Sequence, residues 1–348
     1  MSDKHNNLPA RSLTRRDFLK VGGLAGAASF LAACGVRMSE ATQIPAQVIP
    51  TPTLAPSPSA QQPSQEIAVR IAHITDMHIG PDGPGVEGFT KALHAVEARH
   101  PDIDLIINTG DSIGDALGAT KGWVQAQWDA FTGVVKAECS LPIRHAIGNH
   151  DVWGWGLPAE EQNSLSTDPL FGKGWAVQEL GISNRYYSFD LGGWRFLVLD
   201  STHLPEFAIG QVYTSKLDEE QFNWLVQQLE ATPQSTPVCV ASHAPILSAC
   251  ELLDGNNEVS GNWVVPGAFV HIDARRLWSL FWQHPNVKLC LSGHTHQVED
   301  LRYHGVKYLT DGAVCGNWWN GSYMDFPPGY VVVNLYKDGS SASEFFAY

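Results

Sequence analysis

Basic residues are scarce in this 348-residue chain: 22 Lys and Arg stand against 36 Asp and Glu, for a net charge of −14. A nucleic-acid surface needs clustered cations to displace phosphate counterions, so a nucleic-acid polymer is excluded as the expected partner. Cysteine is scarce as well. The six cysteines are scattered and form no CxxC pair, which argues against a thiolate zinc site and a dense disulfide framework, leaving room for one bridge. Cys239 and Cys290 fall inside apolar runs and read as small core residues. There is no internal repeat, which excludes a solenoid or propeller array. The N-terminal apolar stretch Val21–Ala33 is thirteen residues long, short of the ~20 that a spanning helix requires.

That stretch nevertheless has a recognisable layout. Thr14-Arg15-Arg16-Asp17-Phe18-Leu19-Lys20 precedes it as a basic flank, and Leu31-Ala32-Ala33-Cys34 closes it. The arginine pair resembles a twin-arginine export signal, and the closing tetrapeptide resembles a lipobox. The resemblance implies a signal peptide over residues 1–33, the twin-arginine export machinery as a partner, and lipidation of Cys34. Acylated Cys34 would then hold an exported protein at a membrane, on the outer face of the cytoplasmic membrane or in the periplasm. Residues 34–66 follow as a tether, in which Pro45, Pro50, Pro52, Pro56, Pro58 and Pro63 favour an extended, solvated backbone. Residues 1–33 carry five basic and two acidic residues, a net of +3, so the remainder holds −17.

From residue 67 to 348 the pattern alternates in the manner of one α/β domain. Apolar, β-branched runs at Ala68–Ile74, Leu105–Asn108, Arg195–Leu199, Val238–Ser242, Val287–Leu291 and Tyr330–Tyr336 read as strands, several covered on both faces. Helical periodicity appears at Val86–Arg99, Trp123–Lys136, Asp218–Glu230 and Asp273–His284. Asp218-Glu219-Glu220 puts negative charge at a helix start, with Phe222, Leu225, Val226 and Leu229 on the apolar stripe behind it.

Polar motifs fall where the strands end. Asp76-Met77-His78 follows the first, Gly110-Asp111 the second, and Gly148-Asn149-His150-Asp151 a short run at Arg144–Ile147. Ser242-His243-Ala244-Pro245 and Gly293-His294-Thr295-His296 close two more strands. The carboxyl ends of strands in α/β sheets are where ligand sites assemble. Two aspartates, an asparagine and four histidines make an oxygen and nitrogen donor set that suits Mn, Fe, Zn, Ni or Co rather than Ca. Seven donors are too many for one tetrahedral ion and fit two ions sharing a carboxylate. Two metals ~3.5–4 Å apart can clamp a phosphoryl displacement and hold the attacking hydroxide. Gly110, Gly148 and Gly293 each precede a candidate ligand, where lack of a Cβ permits unusual dihedrals and close backbone approach.

In this order the motifs resemble the calcineurin-like metallophosphoesterase superfamily: DxH at 76–78, GD at 110–111, GNHD at 148–151, a strand-end histidine at 243 and GHTH at 293–296. The resemblance spans roughly residues 67–312. It implies a four-layer α/β/β/α sandwich with two mixed β-sheets and a dinuclear centre at one edge, holding two divalent or trivalent ions such as Mn, Fe or Zn. One ion would take Asp76, His78, Asp111 and His296; the other would take Asp111, Asn149, His243 and His294. His150 would be the general acid for the leaving oxygen, with Asp151 beside it to orient and charge the ring.

Departures narrow the branch. No arginine follows Asp111-Ser112-Ile113-Gly114-Asp115, which disfavours a Ser/Thr protein phosphatase, and Gly114 stands where purple acid phosphatases carry a tyrosine. What remains resembles bacterial phosphodiesterases, including the class III cyclic-nucleotide enzymes. The expected activity is hydrolysis of a small phosphodiester. A phosphomonoesterase with the same centre is the alternative, and a non-catalytic surface lipoprotein that binds a phosphorylated ligand is a more distant one. Trp153, Trp155 and Trp175 in the loop-rich stretch 152–183, and the segment Asn317-Trp318-Trp319, are candidates either for packing or for stacking on a base or sugar. Asn317 and Trp318 are the substrate-contact candidates. His73 reads as a core partner, His94, His100, His284 and His304 as surface or capping residues, and His145 and His203 as supports for the ligands.

Overall fold

In a computed structural model, residues 66–205, 212–253 and 257–348 are described. The expected signal peptide, Cys34 and all but the last residue of the expected tether lie outside them. Thirteen strands order the described residues: β1 (Ile67–Ile74), β2 (Leu105–Asn108), β3 (Ile143–His145), β4 (Tyr187–Leu191), β5 (Trp194–Val198), β6 (Thr202–His203), β7 (Thr214–Ser215), β8 (Val238–Ala241), β9 (Val287–Ser292), β10 (Val298–Tyr303), β11 (Val306–Asp311), β12 (Gly329–Tyr336) and β13 (Ser341–Ala347). The helices are α1 (Gly85–Arg99), α2 (Lys121–Glu138), α3 (Ala159–Leu165), α4 (Gly174–Glu179), α5 (Glu219–Ala231), α6 (Asn257–Ser260) and α7 (Ala274–Gln283).

Two mixed sheets stack face to face. One runs β13-β12-β1-β2-β3, the other β10-β11-β9-β8-β5-β4. Alternate residues decide which layer each side chain joins, because successive side chains of a strand point to opposite faces. Val69 and Ile71 of β1, Leu105 and Ile107 of β2, and Val331, Val333 and Leu335 of β12 meet Phe196, Val198, Cys239, Ala241, Leu289 and Leu291 between the sheets. Ala72, Ile74 and Ile106 point the other way, onto Phe89, Leu93 and Val96 of α1 and Trp128 and Phe131 of α2. On the far side Leu197, Val240 and Cys290 pack against Leu225 and Leu229 of α5 and Leu277 and Phe281 of α7. This is the expected four-layer sandwich. Two of the helix starts are capped by side chains: Thr120 accepts from the Trp123 N–H and Asp218 from the Gln221 N–H.

Strands β1, β2 and β3 of one sheet and β5, β8, β9 and β11 of the other run parallel, so their carboxyl ends line up. Ile74, Asn108 and His145 pair across β1, β2 and β3, and Val198, Ala241 and Leu291 across β5, β8 and β9. Strands β4, β10 and β13 lie at sheet edges and run antiparallel to their neighbours; they were absent from the sequence reading. The five cysteines among the described residues are free, with Cys239 and Cys290 buried in the core as expected.

Candidate metal centre

Five loops leave the aligned strand ends and converge. Backbone bonds hold them in register: Asp76 N–H donates to Gly110 O and His78 N–H to Asp111 O, both at 3.0 Å, and Gly293 N–H donates to His243 O at 3.0 Å. Asp76, His78, Asp111, His294 and His296 all have left-handed backbones, with φ between 45° and 72°. Non-glycine residues occupy that region at a cost, and such strain concentrates at functional sites. A Cβ on Gly148 would run into the Asp111 carboxylate, and one on Gly293 into Thr75 Oγ1 and Asp76 Oδ2. Close packing, rather than a positive φ, is what requires glycine at these two positions.

Each aspartate spends one oxygen on the fold and turns the other inward. Asp76 Oδ2 accepts from His294 N–H at 2.8 Å and from Thr75 Oγ1 at 2.7 Å, while its buried Oδ1 has no hydrogen-bond partner. Asp111 Oδ1 accepts from His150 N–H at 2.8 Å, while Oδ2 lies 3.7 Å from His78 Nε2 and 3.2 Å from His243 Nε2.

The histidines repeat the device. His78 Nδ1 lies 3.4 Å from Gly114 O, His243 Nδ1 3.0 Å from Thr109 O, His296 Nδ1 2.6 Å from Gly316 O and His294 Nε2 2.9 Å from Ala268 O. A ring nitrogen facing a carbonyl must donate, which fixes the neutral tautomer and leaves a lone pair on the other nitrogen. Those other nitrogens face one another. His78 Nε2 is 3.2 Å from His296 Nε2, and His243 Nε2 is 3.1 Å from His294 Nδ1 and 3.0 Å from Asn149 Oδ1. Asp76 Oδ1 sits 3.4 Å from His296 Nε2 and 3.8 Å from His78 Nε2.

Acceptor atoms that converge at these distances repel unless a cation lies among them. The residues therefore fit metal ions, and fit them as two groups: Asp76, His78 and His296 on one side, Asn149, His243 and His294 on the other, with Asp111 Oδ2 between. The seven expected ligand residues are thus brought together. Without cations, burial raises the Asp111 carboxyl, but the charges of His243 and His150 more than offset this and hold it well below the usual range.

His150 stands at the mouth, its ring edge-on to His78 with centroids 4.7 Å apart and its side chain a quarter exposed. Burial lowers its pKa, but Asp111 and Asp115 outweigh that and raise it to about 9. The expected role of Asp151 as partner of this ring is corrected by the geometry. Asp151 Oδ1 accepts from Ser112 and Ile113 N–H, and Oδ2 from Gly148 N–H at 2.9 Å. It clamps the Asp111 loop to the Asn149 loop, and burial with the neighbouring Asp111 charge pushes its own carboxyl up to about 7. The carboxylate that meets the His150 ring is Asp115, 3.5 Å from Nδ1. Its signal was its place four residues after Asp111, within the same loop.

The supporting histidines divide. His145 Nδ1 accepts from Asn108 Nδ2 at 3.1 Å, and Asn108 also binds Gly110 N–H and Ser112 Oγ, so His145 braces the Asp111 turn. Burial holds it neutral, with a pKa lowered to about 4. His203 instead joins a separate ion cluster of Lys173, Arg185, Asp200 and Asp218. His73 is buried between Asp311 (2.5 Å) and Thr109 Oγ1 (2.8 Å), the residue whose carbonyl holds His243.

The tryptophans also divide. Trp153 and Trp175 are buried edge to face at 5.2 Å, and Trp319 packs against Gly85 and Gly88 with Nε1 on His78 O at 3.3 Å. Trp318 is exposed and stacks on His296, centroids 4.4 Å apart at 28°. Asn317 is partly exposed on the same loop, where its N–H closes a turn onto Gly321 O at 2.9 Å.

Comparison with known proteins agrees with this arrangement. Residues 69–298 match the sequence family described as calcineurin-like phosphoesterase. A 3′,5′-cyclic-nucleotide phosphodiesterase of Nostoc sp. is 24% identical over 80% of this chain and 91% of its own. The 3′,5′-cyclic adenosine monophosphate phosphodiesterase CpdA of Escherichia coli K12 is 26% identical over 80% of this chain and 90% of its own. A dimetal phosphatase of Danio rerio has the same fold, with a TM-score of 0.55 at 15% identity over 80% of this chain and 96% of that one.

Proposed function

The chain belongs to the calcineurin-like phosphoesterase family and is a metal-dependent hydrolase of phosphoester bonds, and from that premise we propose that its substrate is a small phosphodiester of the cyclic-nucleotide class. The observation that carries the metal part is the convergence of seven inward-facing acceptor atoms, with the outer nitrogen of every histidine committed to a carbonyl. The diester part is supported by the two similar cyclic-nucleotide phosphodiesterases.

In this reading two divalent or trivalent ions such as Mn, Fe or Zn would be held, one by Asp76, His78, His296 and Asp111, the other by Asp111, Asn149, His243 and His294. Bound ions supply Lewis-acid polarisation of the phosphoryl oxygens and acidify the attacking water. The rest is done by the chain. Left-handed backbones and carbonyl-held rings fix the donors in advance, so no reorganisation is needed when substrate arrives. His150 presents Nε2 to the leaving oxygen with a proton on it, and Asp115 at Nδ1 keeps the ring charged and turned outward. Trp318 offers an exposed aromatic face beside the centre, suited to stacking on a nucleobase, and Asn317 lies next to it for a phosphate oxygen.

Turnover of bis-p-nitrophenyl phosphate, p-nitrophenyl phosphate and 3′,5′-cyclic AMP tests the substrate class. We expect the two diesters to be hydrolysed in preference to the monoester. A strong monoester preference would establish the phosphomonoesterase instead.

The same reading extends to location. Export through the twin-arginine route and anchoring by a lipid on Cys34 rest on the motifs in residues 1–34. Among the described residues no helix is long and apolar enough to cross a membrane. Arg15→Lys with Arg16→Lys should trap the protein in the cytoplasm, and Cys34→Ala should release it from the membrane fraction. Unchanged fractionation of both variants would sink the proposal.

A further inference from the structure

One polarisable atom at the centre is not among the seven oxygen and nitrogen donors. Cys315 lies four residues beyond β11 and is fully buried, its N–H on Asp76 O at 3.2 Å. That tie sets its Sγ beside the rings of His78 and His296, with the sulfur and one ring nitrogen of each all within 4.8 Å of one another. The thiol is only weakly engaged elsewhere. It donates to Gly316 O at 3.6 Å, a carbonyl already taken by His296 Nδ1 at 2.6 Å. An independent feature points to a ligand at the same place: Asp76 Oδ1, on a fully buried side chain, has no partner and is aimed at these two histidines.

Cys239 and Cys290 show what a structural buried cysteine looks like here. Both sit within strands and pack among Leu, Val and Ala, Cys239 between the sheets and Cys290 under α5 and α7. Cys315 has the same burial and a different neighbourhood, the imidazole rings of His78 and His296.

We infer that Cys315 is a further donor to the ion held by Asp76, His78 and His296, and that it biases this half of the centre toward a thiophilic metal such as zinc. The inference rests on the metal centre proposed above. Coordination replaces the S–H bond with a sulfur–metal bond and releases one proton to solvent, as metal binding to a thiol requires. Thiolate is a soft ligand, whereas an all-oxygen and imidazole set also serves manganese, so the sulfur changes selectivity.

Cobalt(II) loaded into the metal-stripped full-length protein reads the sulfur directly. The wild type is expected to show a sulfur-to-cobalt charge-transfer band in the near ultraviolet that Cys315→Ser and Cys315→Ala both lose and Cys139→Ser keeps. Circular dichroism of the variants verifies that they fold. In competition experiments Cys315→Ser is expected to lower the preference for zinc over manganese roughly tenfold, the scale of effects from altering a metal's immediate surroundings. Cobalt binding without the band, or a band that survives in both Cys315 variants, overturns the inference and leaves the metal centre standing. Failure to bind cobalt at all overturns the inference together with the centre on which it rests.

Discussion

The two halves of the centre are made from the same kind of loop and covered in different ways. In the Asp76, His78 and His296 half every ligand has a left-handed backbone, and the carbonyls that orient the rings come from Gly114 and Gly316. Trp318 stacks over this half and Cys315 lies beside it. In the Asn149, His243 and His294 half only His294 has a positive φ. Its carbonyls come from Thr109, buttressed by the His73–Asp311 pair, and from the buried Ala268, with Phe269 and Tyr213 near the His294 ring. One half is held from a covering loop, the other largely from the core. The scaffold fixes where the donors converge, and the loops decide what each ion sees and what can approach it.

Removing the shared ligand should have the largest effect, because it erases the distinction between the halves. Asp111→Ala is expected to lose metal from both and to bring turnover to background, read by metal analysis and by hydrolysis of bis-p-nitrophenyl phosphate. His150→Ala leaves both halves intact. It should retain the metals while lowering turnover of a substrate with a poor leaving group roughly 10²–10⁴-fold. Asp115→Asn should share part of that loss, whereas assigning the ring to Asp151 predicts that Asp115→Asn has none.

The core-backed half can be weakened from behind. Asp311→Ala leaves the buried His73 Nδ1 without its hydrogen-bond partner and should cost about 1–3 kcal/mol of stability, measured by urea unfolding, the scale for stranding a buried polar group. A cost near that of a surface substitution would show that His73 and Asp311 do not support this half. The smallest effect belongs to the covering loop. Trp318→Ala should raise KM for 3′,5′-cyclic AMP with kcat preserved, by the ~1–3 kcal/mol that a base gains from stacking on an aromatic ring. Trp319→Ala, whose ring fills the gap against Gly88, should lower stability instead.

Much of the scaffold was legible in the residues. Strands covered on both faces, such as Leu105–Asn108, announce themselves as unbroken apolar runs, and the helices announce themselves by their stripes. The seven ligands were legible because each falls in a polar motif just beyond a strand end. Edge strands were not: Ser341–Ala347 and Val298–Tyr303 mix exposed and half-buried residues and bury none fully, a weak signal. Asp115 and Cys315 were missed for another reason. Chain adjacency favours Asp151 as the neighbour of His150, but the turn at Asn149 and His150 sends the Asp151 carboxylate to backbone amides and leaves the ring to a different loop. Cys315 reaches the centre through the backbone bonds of Val314 to Thr75 O and of Cys315 to Asp76 O, contacts between segments far apart in the chain.

The central claim is that one buried carboxylate, Asp111, joins two metal sites. The metal content of the reconstituted full-length protein and its Asn149→Ala variant, measured by inductively coupled plasma mass spectrometry after removal of loosely bound ions, tests it most directly. We expect two ions per wild-type chain and one in the variant, since Asp76, His78, His296 and Asp111 remain to hold the other. A single ion in the wild type, or unchanged stoichiometry in the variant, would contradict the account.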